Sequence, residues 1–189
     1  MSRIILITGP SGVGKGTIEK ELFKDKSLNL YFSISATTRP KRENEIEGVH
    51  YYFISKERFL DLIEKNAFLE YSNHFDNLYG TLFKEVEDKL NEGKNVLIEV
   101  ETNGAINIIN KLRQENKEDI LTSIFIVPPS LEELERRIRE RKSDTEDQIK
   151  KRLERSKKEM EYKLYFQHVI KNDNINIAID KIKEIIKMN

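Results

Sequence analysis

The sequence predicts a three-layer α/β domain, with helices on both faces of a mostly parallel sheet. Runs of mainly apolar residues, typical of parallel strands buried on both faces, occur at residues 3–8, 95–100 and 121–127. A segment with helical periodicity follows each run. The 189 residues contain no internal repeat or separating linker and match one domain in length.

The first strand, at residues 3–8, contains four consecutive apolar side chains. It leads into a glycine-rich turn at 9–16 and a helix predicted at 17–24, which has Ile18 and Leu22 on one face. A strand, a glycine-rich loop and a helix in this order are the context that a phosphate-binding loop requires.

The middle of the chain is more polar and predicts shorter elements. An extended segment is predicted at 31–35, followed by an irregular polar segment at 37–48 that carries three basic residues. The remaining elements here are a strand at 51–54, a helix at 56–65, a strand at 68–75 ending in a turn at 76–77, and a helix at 82–91 stopped by Gly93.

The last part returns to buried strands alternating with helices. A helix at 104–113 follows the strand at 95–100, and Pro128 ends the strand at 121–127. Ser130 is predicted to cap a helix that runs to about residue 142, with Glu133 completing a capping box. The final elements are a charged helix capped by Asp144 or Thr145 and running to 164, a strand at 169–170 and a helix at 175–187.

Composition excludes several classes of function. Lys plus Arg and Asp plus Glu each number 33, and the zero net charge argues against a broadly basic nucleic-acid-binding protein. The absence of cysteine excludes disulfides and thiolate chemistry. No apolar run is long enough to cross a bilayer, so we expect a cytoplasmic protein that binds no membrane. His50, His74 and His168 do not cluster and are expected to be structural.

Residues 9–17, G-P-S-G-V-G-K-G-T, fit the phosphate-loop pattern G-x-x-x-x-G-K. Glycines allow backbone N–H groups to surround a phosphate, the following helix adds positive charge at its N-terminus, and Lys15 adds a compact cation. The hydroxyl that usually follows the lysine directly comes one place later, at Thr17.

Other short motifs, spread over the whole chain, are more specific than the loop. The segment S-I-S-A-T-T-R-P-K-R occupies residues 33–42. Further matching positions are Glu45, Gly48, Tyr51, Phe53, Glu70, the expected turn Tyr79-Gly80-Thr81, Pro128-Pro129-Ser130 and Asn172-Asp173. With the loop, these motifs make the chain resemble the guanylate kinase family.

The resemblance implies a P-loop enzyme that transfers the γ-phosphoryl group of ATP to GMP, giving ADP and GDP, with Mg²⁺ as cofactor. It divides the chain into a core (1–34, 84–127 and 159–189), an inserted GMP-binding region (35–83) and a lid (128–158). The two inserted parts are expected to close over the substrates and to exclude water.

The resemblance also assigns site residues. The implied ATP-binding residues are Gly9, Pro10, Ser11, Gly12, Val13, Gly14, Lys15, Gly16, Thr17 and Asn172. The implied GMP-binding residues are Ser35, Arg39, Arg42, Tyr51, Glu70, Tyr79, Gly80, Thr81, Glu99 and Glu101. The implied catalytic residues are Lys15, Arg39, Arg137, Arg141 and Arg152.

These residue types suit the two nucleotides. A carboxylate such as Glu70 accepts hydrogen bonds from both N1–H and the 2-amino group of guanine, a pattern of donors that AMP lacks. Guanidinium forks at Arg39 and Arg42 match phosphate oxygens. Glu99 or Glu101 could hold the waters of Mg²⁺ or contact the guanine. Glu101 is one methylene longer than the Asp usual in the family.

Arg136 and Arg139 are expected to form ordinary ion pairs with nearby glutamates. Three alternatives to a guanylate kinase stay open. They are a kinase for another nucleoside monophosphate, a non-catalytic guanylate-kinase-like domain that binds phosphopeptides, and a GTPase, although the chain has no N-K-x-D motif. The sequence is compatible with a monomer or a homodimer.

Overall fold

The computed structural model describes residues 2–74, 76–140 and 145–188. The strands are β1 Ile4–Thr8, β2 Leu30–Phe32, β3 Ala36–Thr37, β4 Tyr52–Phe53, β5 Phe68–His74, β6 Asn77–Leu82, β7 Asn95–Glu99, β8 Leu121–Val127 and β9 His168–Lys171. The helices are α1 Lys15–Leu22, α2 Lys56–Glu64, α3 Phe83–Asn91, α4 Thr102–Gln114, α5 Leu131–Glu140, α6 Glu146–Glu161 and α7 Ile175–Met188.

The central sheet has the order β2-β7-β1-β8-β9, and all its strands are parallel. Ile5 and Ile7 of β1 pack with α1 and α7 on one face, whereas Ile4 and Leu6 pack with α3 and α4 on the other. Because both faces are covered, β1 is apolar without alternation. The predicted three-layer α/β class is confirmed.

The carboxyl ends of β1, β7 and β8 share one edge of this sheet, where parallel α/β folds bind ligands. The hydroxyl of Thr8, at the end of β1, donates a hydrogen bond of 2.9 Å to the carbonyl of Val100, just beyond β7. This bond fixes the loop after β1 against the start of α4.

A second sheet, with the order β4-β3-β6-β5, forms from the polar middle of the chain. Its core contains Ala36, Phe59 of α2 and Phe68, and the two phenylalanine rings stack with centroids 4.4 Å apart. The sequence did not predict this sheet, because its strands are short and only partly apolar.

The expected turn at Tyr79-Gly80-Thr81 is wrong, because these residues lie inside β6 and pair with β5. Glycine occupies this strand position because a Cβ there would lie 2.8 Å from the ring of Phe68. Glycine therefore marks close packing at this position rather than a turn. The hairpin turn is at Asp76, which has a φ of 63°.

Helices α5 and α6 form a pair with a small apolar cluster of Leu134, Ile138 and Ile149. The Oγ of Ser130 accepts a hydrogen bond of 3.2 Å from the backbone of Glu133, as predicted. Thr145 and Gln148 form the capping box of α6. The alternative cap, Asp144, lies outside the described residues. Nowhere in the described part of the chain is a helix long and apolar enough to span a bilayer.

Candidate active site

A cavity of about 860 Å³ lies between the carboxyl edge of the central sheet, the second sheet and α6. The loop after β1 contributes Gly9, Ser11 and Lys15 to its wall. The remaining wall residues come from the second sheet and the residues next to its strands, the end of β7, the start of α4, and α6. They include Ser35, Tyr51, Glu70, His74, Tyr79, Gly80, Glu99, Glu101, Thr102, Arg152, Arg155 and Ser156.

The loop after β1 has a backbone that its glycines make possible. A Cβ at Gly9 would lie 2.3 Å from the carbonyl oxygen of Ile126, and Gly14 has a φ of +103°. Helix α1 begins at Lys15, so its positive N-terminal end follows the loop directly. The Nζ of Lys15 donates a hydrogen bond of 2.8 Å to the carbonyl of Gly9. The loop can therefore surround an anion with backbone donors and one cation.

Asn172 supports the loop after β1 through a hydrogen bond to its backbone. Its side chain is 3% exposed, and its Nδ2 donates a hydrogen bond of 2.8 Å to the carbonyl of Val13. A Cβ at Gly14 would lie 2.7 Å from the same nitrogen. The Oδ1 of Asn172 has no hydrogen-bond partner among the described residues. Asn172 thus sets the shape of the loop.

Arginines of the α5–α6 pair contact the loop and Asn172, which supports it. The guanidinium of Arg152 donates a hydrogen bond of 2.9 Å to the Oγ of Ser11, and Arg137 donates one of 3.1 Å to the carbonyl of Asn172. Arg137 also forms an ion pair of 2.8 Å with Glu133. Two of the three predicted lid arginines therefore meet the loop region, while Arg141 lies outside the described residues. The expected ion pairs of Arg136 and Arg139 with nearby glutamates are confirmed.

Glu70 is a buried carboxylate in the cavity wall, with 7% of its surface exposed. A bulge at the start of β5 turns Leu69 into the central core and places Glu70 opposite Thr81. The hydroxyl of Thr81 donates a hydrogen bond of 3.0 Å to Oε1 of Glu70. Burial raises the pKa of Glu70, and the hydrogen bonds from Thr81 partly oppose that rise. In the part of the chain that the structure describes, the hydrogen bonds to this carboxylate come from Thr81.

Arg39 lies behind two tyrosines of the cavity wall. Its guanidinium forms hydrogen bonds of 3.0 and 2.6 Å with the two carboxylate oxygens of Glu45, and it lies 5.5 Å from the centre of the Tyr51 ring. The Tyr51 and Tyr79 rings contact edge to face. Hydrogen bonds from Arg39 hold the pKa of Glu45 at about 2, so this pair stays charged. Arg42 is exposed, and its backbone N–H also donates to Glu45, at 2.8 Å.

Glu19 is a buried acid that the sequence analysis missed. It lies one helical turn after Lys15, is 6% exposed and lies near the Glu99 carboxyl, and its Oε1 has no hydrogen-bond partner among the described residues. Burial, followed by the charge of Glu99, raises the pKa of Glu19 to about 8. Its position three residues before the buried Leu22, on a neighbouring part of the same helix surface, is the sequence signal that could have indicated burial.

Comparison with known proteins identifies the family. The sequence profile described as guanylate kinase matches residues 1–189. The chain belongs to the guanylate kinase family.

The guanylate kinase of Mycoplasma mobile is 47% identical to this chain, with 98% of this chain and 92% of that protein covered. The guanylate kinase of Mycoplasmopsis pulmonis is 48% identical, with 97% and 93% covered. The crystal structure of guanylate kinase from Anaplasma phagocytophilum superimposes with a TM-score of 0.70 at 30% identity and covers 99% of this chain and 85% of that one. ATP-dependent phosphorylation of GMP is the known function of the family.

The structure brings many of the predicted site residues together. Those in the cavity wall are Gly9, Ser11, Lys15, Ser35, Tyr51, Glu70, Tyr79, Gly80, Glu99, Glu101 and Arg152. Thr81, Arg39 and Asn172 support wall residues or the loop from behind, and Gly16 and Thr17 are exposed on α1. His74, expected to be structural, lies in the wall, as do Thr102, Arg155 and Ser156, which the sequence analysis did not single out.

Proposed function

We propose that this chain binds GMP between its two sheets, with the guanine edge on Glu70, and binds ATP on the loop at residues 9–17. The observation that carries the proposal is the buried Glu70 carboxylate in the cavity wall. The phosphate-binding geometry of the loop, at the other end of the same wall, supports it.

Guanine recognition rests on the acceptors that Glu70 offers. A carboxylate has about four acceptor sites, and the hydroxyl and the backbone N–H of Thr81 use two of them. The others are available to N1–H and the 2-amino group of guanine. Because Thr81 donates its proton to Glu70, we assign the contact with the guanine O6 to Ser35, which lies in the wall. AMP would leave the buried carboxylate without these donors, which is costly.

The hydroxyls of Tyr51 and Tyr79 and the guanidinium groups of Arg39 and Arg42 are proposed to hold the GMP phosphate. Glu45 fixes Arg39 through two hydrogen bonds, so that less side-chain freedom is lost when the phosphate binds. This arrangement aligns a phosphate oxygen of GMP with the γ-phosphorus of ATP.

The chemical step is a direct in-line transfer. A phosphate oxygen of GMP forms a bond to the γ-phosphorus, the bond from that phosphorus to the β,γ-bridging oxygen breaks, and ADP leaves. Lys15, Arg137, Arg141 and Arg152 stabilise the charge on the transferred group, for which comparable arginines contribute about 10³–10⁵ in rate. The contact between Arg152 and Ser11 supports a closed position of α6 during the transfer.

The residues near the loop fit Mg²⁺. Glu99 offers a hard oxygen donor in the cavity wall, and the Glu19 carboxyl adjoins it. Among the described residues no group of three potential ligands forms a closed metal site. This suits Mg²⁺, which commonly keeps waters and relies on one or two carboxylates and the substrate phosphates. We assign Glu99 the role of holding Mg²⁺ through its waters, and the ion would supply charge neutralisation to ATP.

The test is a coupled assay of ADP formation from ATP and Mg²⁺ with GMP, IMP, AMP, CMP or UMP as acceptor. We expect GMP to exceed AMP by roughly 10⁴-fold in kcat/KM. IMP, which lacks the 2-amino group, should fall between them. Equal activity with AMP and GMP would overturn the assignment of Glu70 to guanine. The cytoplasmic location and the monomeric or homodimeric state stay predictions.

A further inference from the structure

Arg155 joins α6 to the start of α4 through one ion pair. Its Nη2 lies 2.7 Å from Oε2 of Glu101, and its Nε donates a hydrogen bond of 2.9 Å to Oε1 of Glu159 on α6. The second contact fixes the arginine on its own helix. Arg155 is therefore oriented so that its Nη2 reaches Glu101, and both residues line the cavity.

Glu101 is the carboxylate on which three parts of the molecule converge. It lies in the cavity wall at the N-cap position of α4. The Nε2 of His74, on β5, lies 3.7 Å from the same Oε2 that binds Arg155. Glu101 thus links the second sheet, α4 and α6.

The Glu101 carboxylate needs a cation because it lies near another carboxylate. Its negative charge contributes to the raised pKa of Glu70, after burial as the main cause. Gly104, in the first turn after Glu101, packs against Glu70, since a Cβ there would lie 3.1 Å from Oε2 of Glu70. The carboxylates of Glu70 and Glu101 lie where the guanine is proposed to bind and repel each other, and the positive charge of Arg155 offsets that repulsion.

Arg155 and Arg152 lie three residues apart on α6 and therefore share a face. Arg152 contacts Ser11 in the loop at residues 9–17, where ATP is proposed to bind. Arg155 contacts Glu101 in the part of the cavity where the guanine is proposed to bind. Both contacts require α6 to lie against the loop after β1 and the start of α4. The helix therefore connects the two nucleotide sites through a pair of arginines.

We propose that Arg155 is a positioning residue that holds Glu101 toward the guanine when α6 is closed, so that a nucleotide in the ATP site tightens the binding of GMP. This inference rests on the proposed function. Both members of the ion pair are about half exposed, so the effect is modest. We expect Arg155 to account for about a two- to fivefold change in GMP affinity.

The experiment is calorimetric titration of GMP into the full chain, with and without a saturating non-hydrolysable ATP analogue and Mg²⁺. The parent is compared with Arg155→Gln, Arg155→Lys and Arg136→Gln. Arg136 is a matched control because it is also an exposed arginine paired with two glutamates, but on α5. Melting temperatures of all variants report whether they fold.

We expect Arg155→Gln to weaken GMP binding about two- to fivefold only when the ATP analogue is present. Arg155→Lys, which keeps the charge, should fall between Arg155→Gln and the parent, and Arg136→Gln should match the parent. In steady-state kinetics Arg155→Gln should raise KM for GMP and leave kcat near the parental value. Equal GMP affinity in Arg155→Gln and parent, or an equal loss with and without the analogue, would overturn the inference. A parent that binds no GMP would instead refute the proposed function.

Discussion

Replacement of Glu70 by Gln removes the charge that is proposed to bind guanine and changes the size of the side chain very little. The amide offers one acceptor oxygen and an NH₂ group that can only donate. If the oxygen keeps its hydrogen bond from Thr81, the NH₂ group faces the two guanine donors. Neither donor then has a charged acceptor.

The size of the effect follows from these two lost bonds. A hydrogen bond to a charged group contributes about 1.5–3 kcal/mol, so the loss of two costs about 3–6 kcal/mol. This corresponds to a fall of roughly 10²–10⁴ in kcat/KM for GMP. The weak activity with AMP should change little, because AMP does not provide the donors. Selectivity for GMP over AMP therefore shrinks by nearly the same factor.

The assay is ADP formation at varied GMP and AMP, with the thermal midpoint measured in parallel. Because burial disfavours the charged form of Glu70, the neutral Gln should not lower the thermal midpoint at neutral pH. Glu85→Gln is the matched control. Glu85 lies on α3, burial also raises its pKa, and it accepts a hydrogen bond of 3.0 Å from Ser33, which directly follows β2. It should keep the GMP preference of the parent.

An unchanged ratio of GMP to AMP activity in Glu70→Gln would refute this reasoning. The same change in Glu85→Gln would also refute it, since the effect would then come from the loss of any partly buried carboxylate.

Three further predictions follow from other parts of the site. Lys15→Ala should abolish transfer at saturating nucleotide in the coupled assay, and full activity would contradict the role of the loop. Arg39→Lys, which cannot reproduce the two-pronged contact, should raise KM for GMP by about tenfold and leave KM for ATP unchanged, and an equal rise in both would count against a GMP-phosphate role. Glu19 binds its proton up to a pKa of about 8 when folded but only to about 4.5 when unfolded, so the free energy of unfolding should fall as the pH rises from 4.5 to 8. Glu19→Gln should remove this fall, so that at pH 8 its free energy of unfolding, measured by urea unfolding, exceeds that of the parent by a few kcal/mol, roughly 4 at most. Parallel pH profiles of the free energy of unfolding in the two proteins would disprove the assignment.

The central sheet could be predicted because its information is local. Strand β1 is a continuous apolar run, and the glycine-rich loop and α1 follow it directly. The second sheet could not be predicted as a unit, since β3 and β4 contribute only two residues each and are held by pairing with distant segments. Gly80 added a misleading turn signal inside β6.

The site was predicted in its residue types but not in its contacts. That Glu70 would be buried could be inferred from Phe68 and Leu69 before it, whereas its bond to Thr81 depends on the register of the hairpin. The ion pair between Arg155 and Glu101 joins residues 54 positions apart. A local sequence pattern cannot predict a contact between residues so far apart in the chain, because such a contact forms only when the elements pack together.

A crystal structure of the complex with GMP tests the central claim, that guanine binds to Glu70, most directly. The measurement is the distance from the Glu70 carboxylate oxygens to N1 and to the 2-amino nitrogen of the base. The account predicts that both distances fall between about 2.7 and 3.2 Å while Thr81 keeps its bond to Oε1. A guanine ring bound elsewhere in the cavity, with Glu70 contacting only Thr81, would contradict it.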